Sequence, residues 1–493
     1  MTDERRADSP PPLVLDDRVR RRGSTLIGGS PVRVLRLADE GTVVLDRLLT
    51  GERSWSSASD RLARRLLDAG LAHPIPSPGF IGLDAVTVVV PVRDDARGLE
   101  RLLDSAALDG VARVVVVDDG SRSPDVGEVA TRYGADLARN SVSGGPGAAR
   151  NRGWLLACTD VVAFVDADCL PPPGWLEPLL AHLVDEDVVV VAPRIAGPVD
   201  PVGLLESFEA DRAPLDRGPR RGRVATGAVP FVPSAALVVR RRALQESGGF
   251  DEAVRVGEDV DLVWRLTAMA TVRYEPDVVC AHETRLGLAE WLGQRVGYGM
   301  SAARLDRRHP GRATPIDMNV WTVVGWGLVA TGSRRGAVAG LGVAAVSTAA
   351  LGRKLHGRVE SPIGEALRLA GPGHARAGAW LASALRRVWW PAALGAGVLS
   401  RRVRPGLAAA FIAYPLMEAL ARKPRVGVVR SAGLAVLDDV AYGAGVWLGC
   451  RRERSWSVLR PRLRRTTPGT NVQSSSNQRR STALAAAALP AVR

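Results

Sequence analysis

Apolar positions change rhythm along the chain, and each rhythm predicts a different kind of structure. Leu13–Arg20 and Ser24–Ile27 read as short extended runs, and Leu35 and Leu37 alternate with polar neighbours as a strand would. Val44, Leu45, Leu48 and Leu49 then recur at helical spacing behind an acidic entry at Ala38-Asp39-Glu40. A second helix is expected over Asp60–Ala69, carrying Leu62, Leu66 and Leu67, with Gly70 as its stop. Together these form a small α+β unit of winged-helix size. Pro74, Pro76, Pro78 and Gly79 make a linker after it.

From Val86 the pattern becomes unbroken β-branched runs separated by helical stretches. Val86–Val90, Val111–Val117, Val161–Val165 and Val188–Ala192 suit buried parallel strands. Ala96–Ala107, Ala148–Cys158 and Gly174–Leu183 suit helices between them. This alternation predicts an α/β fold with a doubly wound sheet, in which ligands lie beyond the carboxyl ends of the strands. From about Pro315 the charges thin out. Val320–Gly332, Gly336–Gly352, Val388–Leu399, Gly406–Leu420 and Ser431–Cys450 are apolar, the last except for Asp438-Asp439. None is an unbroken run of the roughly 20 residues that a spanning helix needs, and Gly336–Gly352 comes nearest. The ends, up to Pro12 and from Thr466, have the composition of disordered segments. The chain thus divides into 1–12, 13–76, 77–314, 315–465 and 466–493.

Composition sharpens this only in part. A length of 493 residues suits about three structural units, and 46% hydrophobic residues allow a sizeable core. The net charge of +14 comes almost wholly from arginine. It favours anionic partners such as sugar nucleotides, phospholipid headgroups or nucleic acid; a GC-rich coding bias explains it equally well. Against nucleic acid, Val43–Arg47 offers little of the basic character of a DNA reader's recognition helix. The cysteines Cys158, Cys169, Cys280 and Cys450 form no CxxC pair and have no histidine at zinc-finger spacing. They read as buried, reduced thiols. The first residues lack the apolar core of a secretory signal, so a cytoplasmic setting is expected.

The polar clusters fall at strand ends. Phe164-Val165-Asp166-Ala167-Asp168 sets two carboxylates one residue apart behind a buried strand. Such a pair can reach a hard divalent cation, or divide between cation and ribose. Pro91-Val92-Arg93-Asp94-Asp95 closes the first strand and Asp118-Asp119-Gly120-Ser121 the second. Acceptors there suit the imide N–H of a uracil ring or ribose hydroxyls. Gly144-Gly145-Pro146-Gly147 feeds a helix N-terminus, a natural anion site, with Arg150 just inside it. The loop has neither the P-loop nor the dinucleotide pattern. Gly248-Gly249-Phe250-Asp251, then Glu258-Asp259-Val260-Asp261, Trp264-Arg265 and His282 follow.

As an ordered set, P-V-x-D, V-D-D-G-S, G-P-x-A-A-R-N-x-G, D-A-D, G-G-F-D and E-D-x-D-L between Val86 and Arg285 resemble the family-2 glycosyltransferases. The resemblance implies a GT-A fold, a UDP- or GDP-sugar donor, a divalent metal (Mg2+ or Mn2+) and inversion at the anomeric carbon. It sets Pro91, Asp94 and Asp119 on the nucleoside and Asp166 on the ribose, with Arg150 among the donor-binding groups. It sets Asp168 on the metal. An inverting transfer needs a carboxylate to take the acceptor's proton. Asp259 is the choice, with Glu258 and Asp261 as rivals. His282 has the right type for a late metal or diphosphate ligand, and Glu258 and Trp264 are expected beside the acceptor. Arg93 and Asp94 depart from the aromatic residue and the asparagine common at their positions. No Q-x-x-R-W motif follows the base, which argues against a processive synthase.

Val34–Leu49 (VLRLADEGTVVLDRLL) is similar to the signature of PqqD-type peptide-recognition domains, although a generic winged helix competes. With this unit, the transferase region, the stretch Ala303–Gly311 (ARLDRRHPG) and the Arg-rich apolar C-terminus, the chain resembles the mycofactocin-system glycosyltransferase family. That resemblance implies transfer of β-linked glucose from UDP-glucose to a peptide-derived redox cofactor. A lipid or cell-wall polysaccharide acceptor is the alternative. Arginines between the apolar runs suit an anionic leaflet, so peripheral or hairpin association with the cytoplasmic side of the membrane is expected.

Overall fold

A computed structural model describes residues 11–464, apart from 30, 53–55, 77–80, 226–228 and 284–286. Residues 1–10 and 466–493 of the ends expected to be disordered lie outside the described residues, as do Pro78, Gly79, Thr284, Arg285 and Arg465.

The first unit comprises β1 (Leu13–Leu15), β2 (Arg20–Arg22), β3 (Thr25–Gly28), β4 (Arg33–Arg36), α1 (Asp39–Thr50), α2 (Ser57–Asp68) and β5 (Ala72–Pro74). β2, β3 and β4 form an antiparallel sheet, and β1 pairs with β5. The expected run Leu13–Arg20 is broken at Asp16. This buried carboxylate accepts from Arg18 and faces His73 Nε2 at 3.1 Å, which turns the chain between β1 and β2. Leu26, Leu45, Leu66 and Leu71 fill the core of the unit. Asp39 and Glu40 favour the N-terminus of α1, and Gly51 closes it in a left-handed conformation.

The central unit runs β6 (Val86–Val92), α3 (Ala96–Leu103), β7 (Arg113–Asp118), α4 (Asp125–Arg132), β8 (Asp136–Arg139), α5 (Pro146–Leu156), β9 (Val161–Val165), β10 (Cys169–Leu170) and α6 (Leu176–Leu180). It continues through β11 (Val188–Ala196), α7 (Leu204–Arg212), β12 (Gly222–Arg223), β13 (Ala236–Arg240), α8 (Arg241–Ser247), α9 (Glu258–Met269) and β14 (Thr271–His282). The sheet order is β10-β14-β11-β13-β9-β6-β7-β8, with β12 on β14. β8, β7, β6 and β9 are parallel, whereas β13 runs antiparallel between β9 and β11. Successive valines of β6 point to opposite faces. Val88 and Val90 meet Leu99, Leu102 and Leu179 on one face; Val89 meets Trp154, Phe164 and Leu262 on the other. This is a mixed α/β sheet with both faces covered, and β6, β7 and β9 deliver their polar ends to one edge. The helix expected over Gly174–Leu183 splits into α6 and a 3-10 turn. Of the cysteines expected to be buried, Cys158 is exposed, because it follows the end of α5 at the surface.

The C-terminal region is helical. It comprises α10 (Leu288–Arg308), α11 (Val320–Ala330), α12 (Arg334–Leu355), α13 (Pro362–Arg387), α14 (Trp390–Leu399), α15 (Arg404–Ala408), α16 (Tyr414–Arg422) and α17 (Val428–Glu453); a π turn joins α15 to α16. Short strands β15 (Asp317–Asn319) and β16 (Arg462–Arg464) pair beside it. α17 crosses α10 backbone to backbone where Gly299, Gly445 and Gly449 leave no room for a Cβ. Asp438 and Asp439 on α17, anomalous in an apolar run, meet Arg295 of α10 and Arg386 of α13 in buried ion pairs.

Candidate active site

The acidic pair ends β9. Asp166 keeps about a quarter of its side chain exposed, and Asp168 about half. Asp168 Oδ1 lies 3.5 Å from Nε2 of His282, which β14 brings alongside through the pairing of Cys169 with His282. The backbone Glu283 N–H donates to the Asp168 carbonyl at 2.9 Å, fixing the register. Burial pushes the Asp168 carboxyl up, opposed by His282 and reinforced by Asp166 and Asp95. Asp95 caps α3, accepting from the Gly98 amide. An oxygen donor and an imidazole therefore share the mouth of the site, a donor set that fits a divalent cation.

Asp259 stands in the first turn of α9. Its Oδ1 accepts from the Val260 amide at 2.7 Å and its Oδ2 from Ser234 N–H at 3.4 Å. Burial raises its pKa, against the pull of Arg150. The neighbouring Glu258 is pushed up to about 7 by burial and by the charge of Asp259. Glu258 is buried and turned inward, where it accepts from Arg150 Nη1 at 2.9 Å. Arg150 Nη2 donates to Asp166 at 2.6 Å. Burial opposes the charge on Arg150, but Asp166 and Glu258 outweigh it and hold the guanidinium protonated.

Several residues expected in the site have other partners in this structure. Arg150, expected to touch the donor, is 4% exposed with both terminal nitrogens engaged; it braces β9 against α9 instead. Glu258, expected beside the acceptor, is buried and engaged by the same pairing. Trp264 is 6% exposed, packs edge-on against His309 and donates its indole N–H to the Pro230 carbonyl. It supports the loop before Ser234. Asp261, the other rival base, is fully buried between Arg265, Arg308 and His309.

The helix N-terminus read as an anion site already holds a carboxylate. Asp119 accepts from Asn140, Ser143 and the amides of Gly144 and Gly145, which lead into α5. Burial raises its pKa, but these hydrogen bonds outweigh that and hold it low. Asp94 adopts a positive φ of 55°, and its Oδ1 accepts from the Arg122 amide, tying the end of β6 to the turn after β7. Pro91 is half-buried in β6 beside Val117.

Two residues near Asp259 carry no signal at the level of motifs. Arg217 stacks on Phe231 at 4.5 Å; burial disfavours its charge, while Asp259 is among the groups that favour it. Tyr298 of α10 lies where burial, and the charges of Asp259 and Asp168 among others, raise its hydroxyl pKa despite Arg295. Ser301, one turn further along α10, abuts Gly257 at the start of α9. Tyr298 and Ser301 are revealed only by the packing of α10 beside the start of α9, and Arg217 only by its stacking on Phe231, neither of which a local pattern encodes.

A mixed, parallel-rich sheet with paired carboxylates at a strand end and an acidic helix start opposite defines a glycosyltransferase of the GT-A type. The family model "Glycosyl transferase family 2" matches residues 87–248. The pre-mycofactocin glycosyltransferase of Mycobacterium tuberculosis, in two strains, is 40% identical over 460 residues, covering 91% of this chain and 96% of its own. The chain belongs to the pre-mycofactocin glycosyltransferase family. Mouse polypeptide N-acetylgalactosaminyltransferase 15 is 28% identical over 235 residues, covering 41% of this chain and 36% of its own. Among solved structures, a Pyrobaculum calidifontis mannosyltransferase in complex with GDP-mannose and Mn2+ aligns over 71% of this chain and 89% of that one. Its sequence identity is 20% and its TM-score 0.38.

Proposed function

We propose that the chain transfers glucose from UDP-glucose, with inversion and in β linkage, to the peptide-derived acceptor of mycofactocin biosynthesis. The name of the Mycobacterium tuberculosis relative supports the pathway. The observation that carries the chemistry is the bridge that Arg150 makes between Asp166, two residues before Asp168, and Glu258, next to Asp259: it holds the start of α9 beside the carboxylates at the end of β9.

A divalent cation, Mg2+ or Mn2+, would be held by Asp168 and His282. Among the described residues no three of His, Cys, Asp or Glu converge as a metal set, so the donor's diphosphate and water would complete the coordination. When bound, it supplies positive charge against the departing diphosphate. The chain's own residues do the rest. Asp259 takes the proton of the acceptor hydroxyl as that oxygen bonds to the anomeric carbon. The Val260 and Ser234 amides hold its carboxylate in position. Arg150 keeps α9 and β9 in fixed relation, and with them base and cation site. Pro91, Asp94 and Asp119 would bind the nucleoside and Asp166 the ribose; Asp119 would exchange some of its present partners to do so.

In this reading the N-terminal unit is a PqqD-like peptide-recognition domain spanning 13–76, and 77–314 is the catalytic domain. Tethering a recruiting domain to the catalytic site raises the local acceptor concentration. The region 315–465 sets the enzyme against the cytoplasmic side of the membrane. Its exposed apolar helices also favour a second reading, a lipid acceptor.

The test is donor screening with purified chain, Mn2+ or Mg2+, and UDP- and GDP-sugars, followed by nucleotide release with and without a mycofactocin-type acceptor. Turnover of UDP-glucose that vanishes with chelator and in Asp259→Asn is expected. Transfer to a polyprenyl phosphate, with none to the peptide-derived acceptor, would favour the second reading.

A further inference from the structure

The ends of four helices converge at one tip of the C-terminal region. Gly332, between α11 and α12, abuts Pro405 of α15; Gly406 abuts Ala330 of α11; Gly397 of α14 abuts Leu407. Arg404 Nε donates to the Gly397 carbonyl at 2.9 Å and closes the turn between α14 and α15. This tip carries Leu399 at 89% exposure and Val398 at 77%. Arg401 and Arg402 follow Leu399 along the chain, and Arg334 and Arg335 follow Gly332 at the start of α12; all four are exposed and, among the described residues, in no ion pair. No Asp or Glu occurs from Met318 to Val359 or from Val388 to Met417, so nothing in these segments offsets the charge.

Two exposed aliphatic side chains with unpaired cations nearby form a poor surface for water and a good one for an anionic bilayer. Apolar insertion and electrostatic attraction to headgroups are the two contributions that peripheral anchoring combines. We propose that this tip, Val398-Leu399 with these arginines, seats the enzyme on an anionic lipid surface without crossing it. The proposal rests on the membrane-side placement above and specifies how it is made.

The geometry favours lying on the bilayer over spanning it. α12 is the one described helix long and apolar enough to cross. However, it runs along α13, joined by Ser347 Oγ and His374 Nε2 at 3.0 Å. α13 carries Glu365, Arg368, His374 and Arg376, which hydrocarbon excludes. Glu365 is itself tied to Arg20 of the N-terminal unit at 2.9 Å. α14, at ten residues, reaches about half of a hydrocarbon core.

The experiment is co-sedimentation of the full chain with vesicles of phosphatidylcholine alone or mixed with phosphatidylglycerol, at low and high salt. Binding that requires phosphatidylglycerol and weakens with salt is expected. Arg401→Gln with Arg402→Gln should lower the partition coefficient by about fivefold per arginine. Val398→Glu with Leu399→Glu should abolish binding while the melting temperature holds, since all four side chains are exposed. Equal binding to both vesicles, or binding unmoved by either pair of substitutions, overturns the proposal. So does a self-associated chain that the Val398/Leu399 variant turns into a monomer, because the tip would then be a protein interface. Nucleotide release without vesicles separates this from the catalytic reading: an unsubstituted chain that transfers but does not bind anionic vesicles refutes the docking surface alone, and one that binds them but releases no nucleotide refutes the catalytic reading alone.

Discussion

Arg150 and Glu258 meet at 2.9 Å in the interior, one from the helix after the glycine loop and the other from the helix that carries Asp259, the proposed base. The same guanidinium holds Asp166 at 2.6 Å. Removing it leaves a buried carboxylate without its counter-charge, a loss of about 3–5 kcal/mol for pairs of this kind. Arg150→Met is therefore expected to unfold at markedly lower denaturant and to lose transfer. Arg150→Lys should recover part of the stability but not the activity, because one ammonium cannot span both partners as the planar fork does. Denaturant titration beside nucleotide release checks both. A stable, active Arg150→Met chain would remove the brace from the account.

The pair Glu258 and Asp259 sets a pH window. Glu258 titrates near 4.5 in an unfolded chain and at about 7 here, raised by burial and by Asp259. Between those values the folded chain keeps a proton that the unfolded chain releases. This contribution to stability is complete below pH 4.5 and is lost as pH rises to about 7. With Asp259 as the proposed base, activity runs the opposite way, since it accepts a proton only as a carboxylate and burial raises its pKa too. The pH profile of kcat/KM should rise above the ordinary carboxylate range while the melting temperature declines. Glu258→Gln should flatten the decline. A catalytic limb in the ordinary carboxylate range beside a flat melting curve would contradict this.

His282 and Asp168 make a separable prediction. If the pair holds the cation, His282→Ala should raise the Mn2+ concentration for half-maximal nucleotide release by at least the roughly 10–100-fold that loss of an outer ligand partner costs. Asp168→Asn should abolish turnover at any practical Mn2+ concentration. A Mn2+ titration at saturating donor reads the effect directly. An unchanged titration in His282→Ala would make that histidine structural.

The strand ends are legible because their chemistry is local. Buried β-branched runs stop at Asp118, Asp166 and Pro91, and the sheet presents those stops together. What does not read out depends on packing across long separations. Arg150 resembles a donor contact because a helix start favours anions, but its charge is spent on Glu258, which α9 delivers from far along the chain. The amides before α5 look open to a phosphate in the sequence, whereas Asp119 already occupies them. Strand β13 has no place in the sequence reading; its valines are as apolar as any parallel strand, and only pairing with β9 and β11 reveals its reversed direction. Asp438 and Asp439 mark the last helix as a poor membrane span, yet their partners on α10 and α13 follow only from the packing.

The crossing of α10 and α17 gives the sharpest stability contrast. A Cβ at Gly445 would run into the Val296 carbonyl and lie 3.0 Å from the Cα of Gly299, so the obstacle is backbone on both sides. Overpacking against side chains that can shift costs about 1–3 kcal/mol. Here the helices themselves must part, which also strains the buried pairs between Arg295 and Asp438 and between Arg386 and Asp439. Gly445→Ala is expected to cost about 3 kcal/mol or more, and Gly445→Val more still. Gly433, on the same helix, faces solvent, and a methyl group there would meet nothing within 4 Å. Gly433→Ala should therefore stabilise by up to about 1 kcal/mol through helix propensity alone. Thermal melts of the two alanine variants decide the matter: opposite signs support the tight crossing, and equal signs would mean that α17 does not lie against α10 as described.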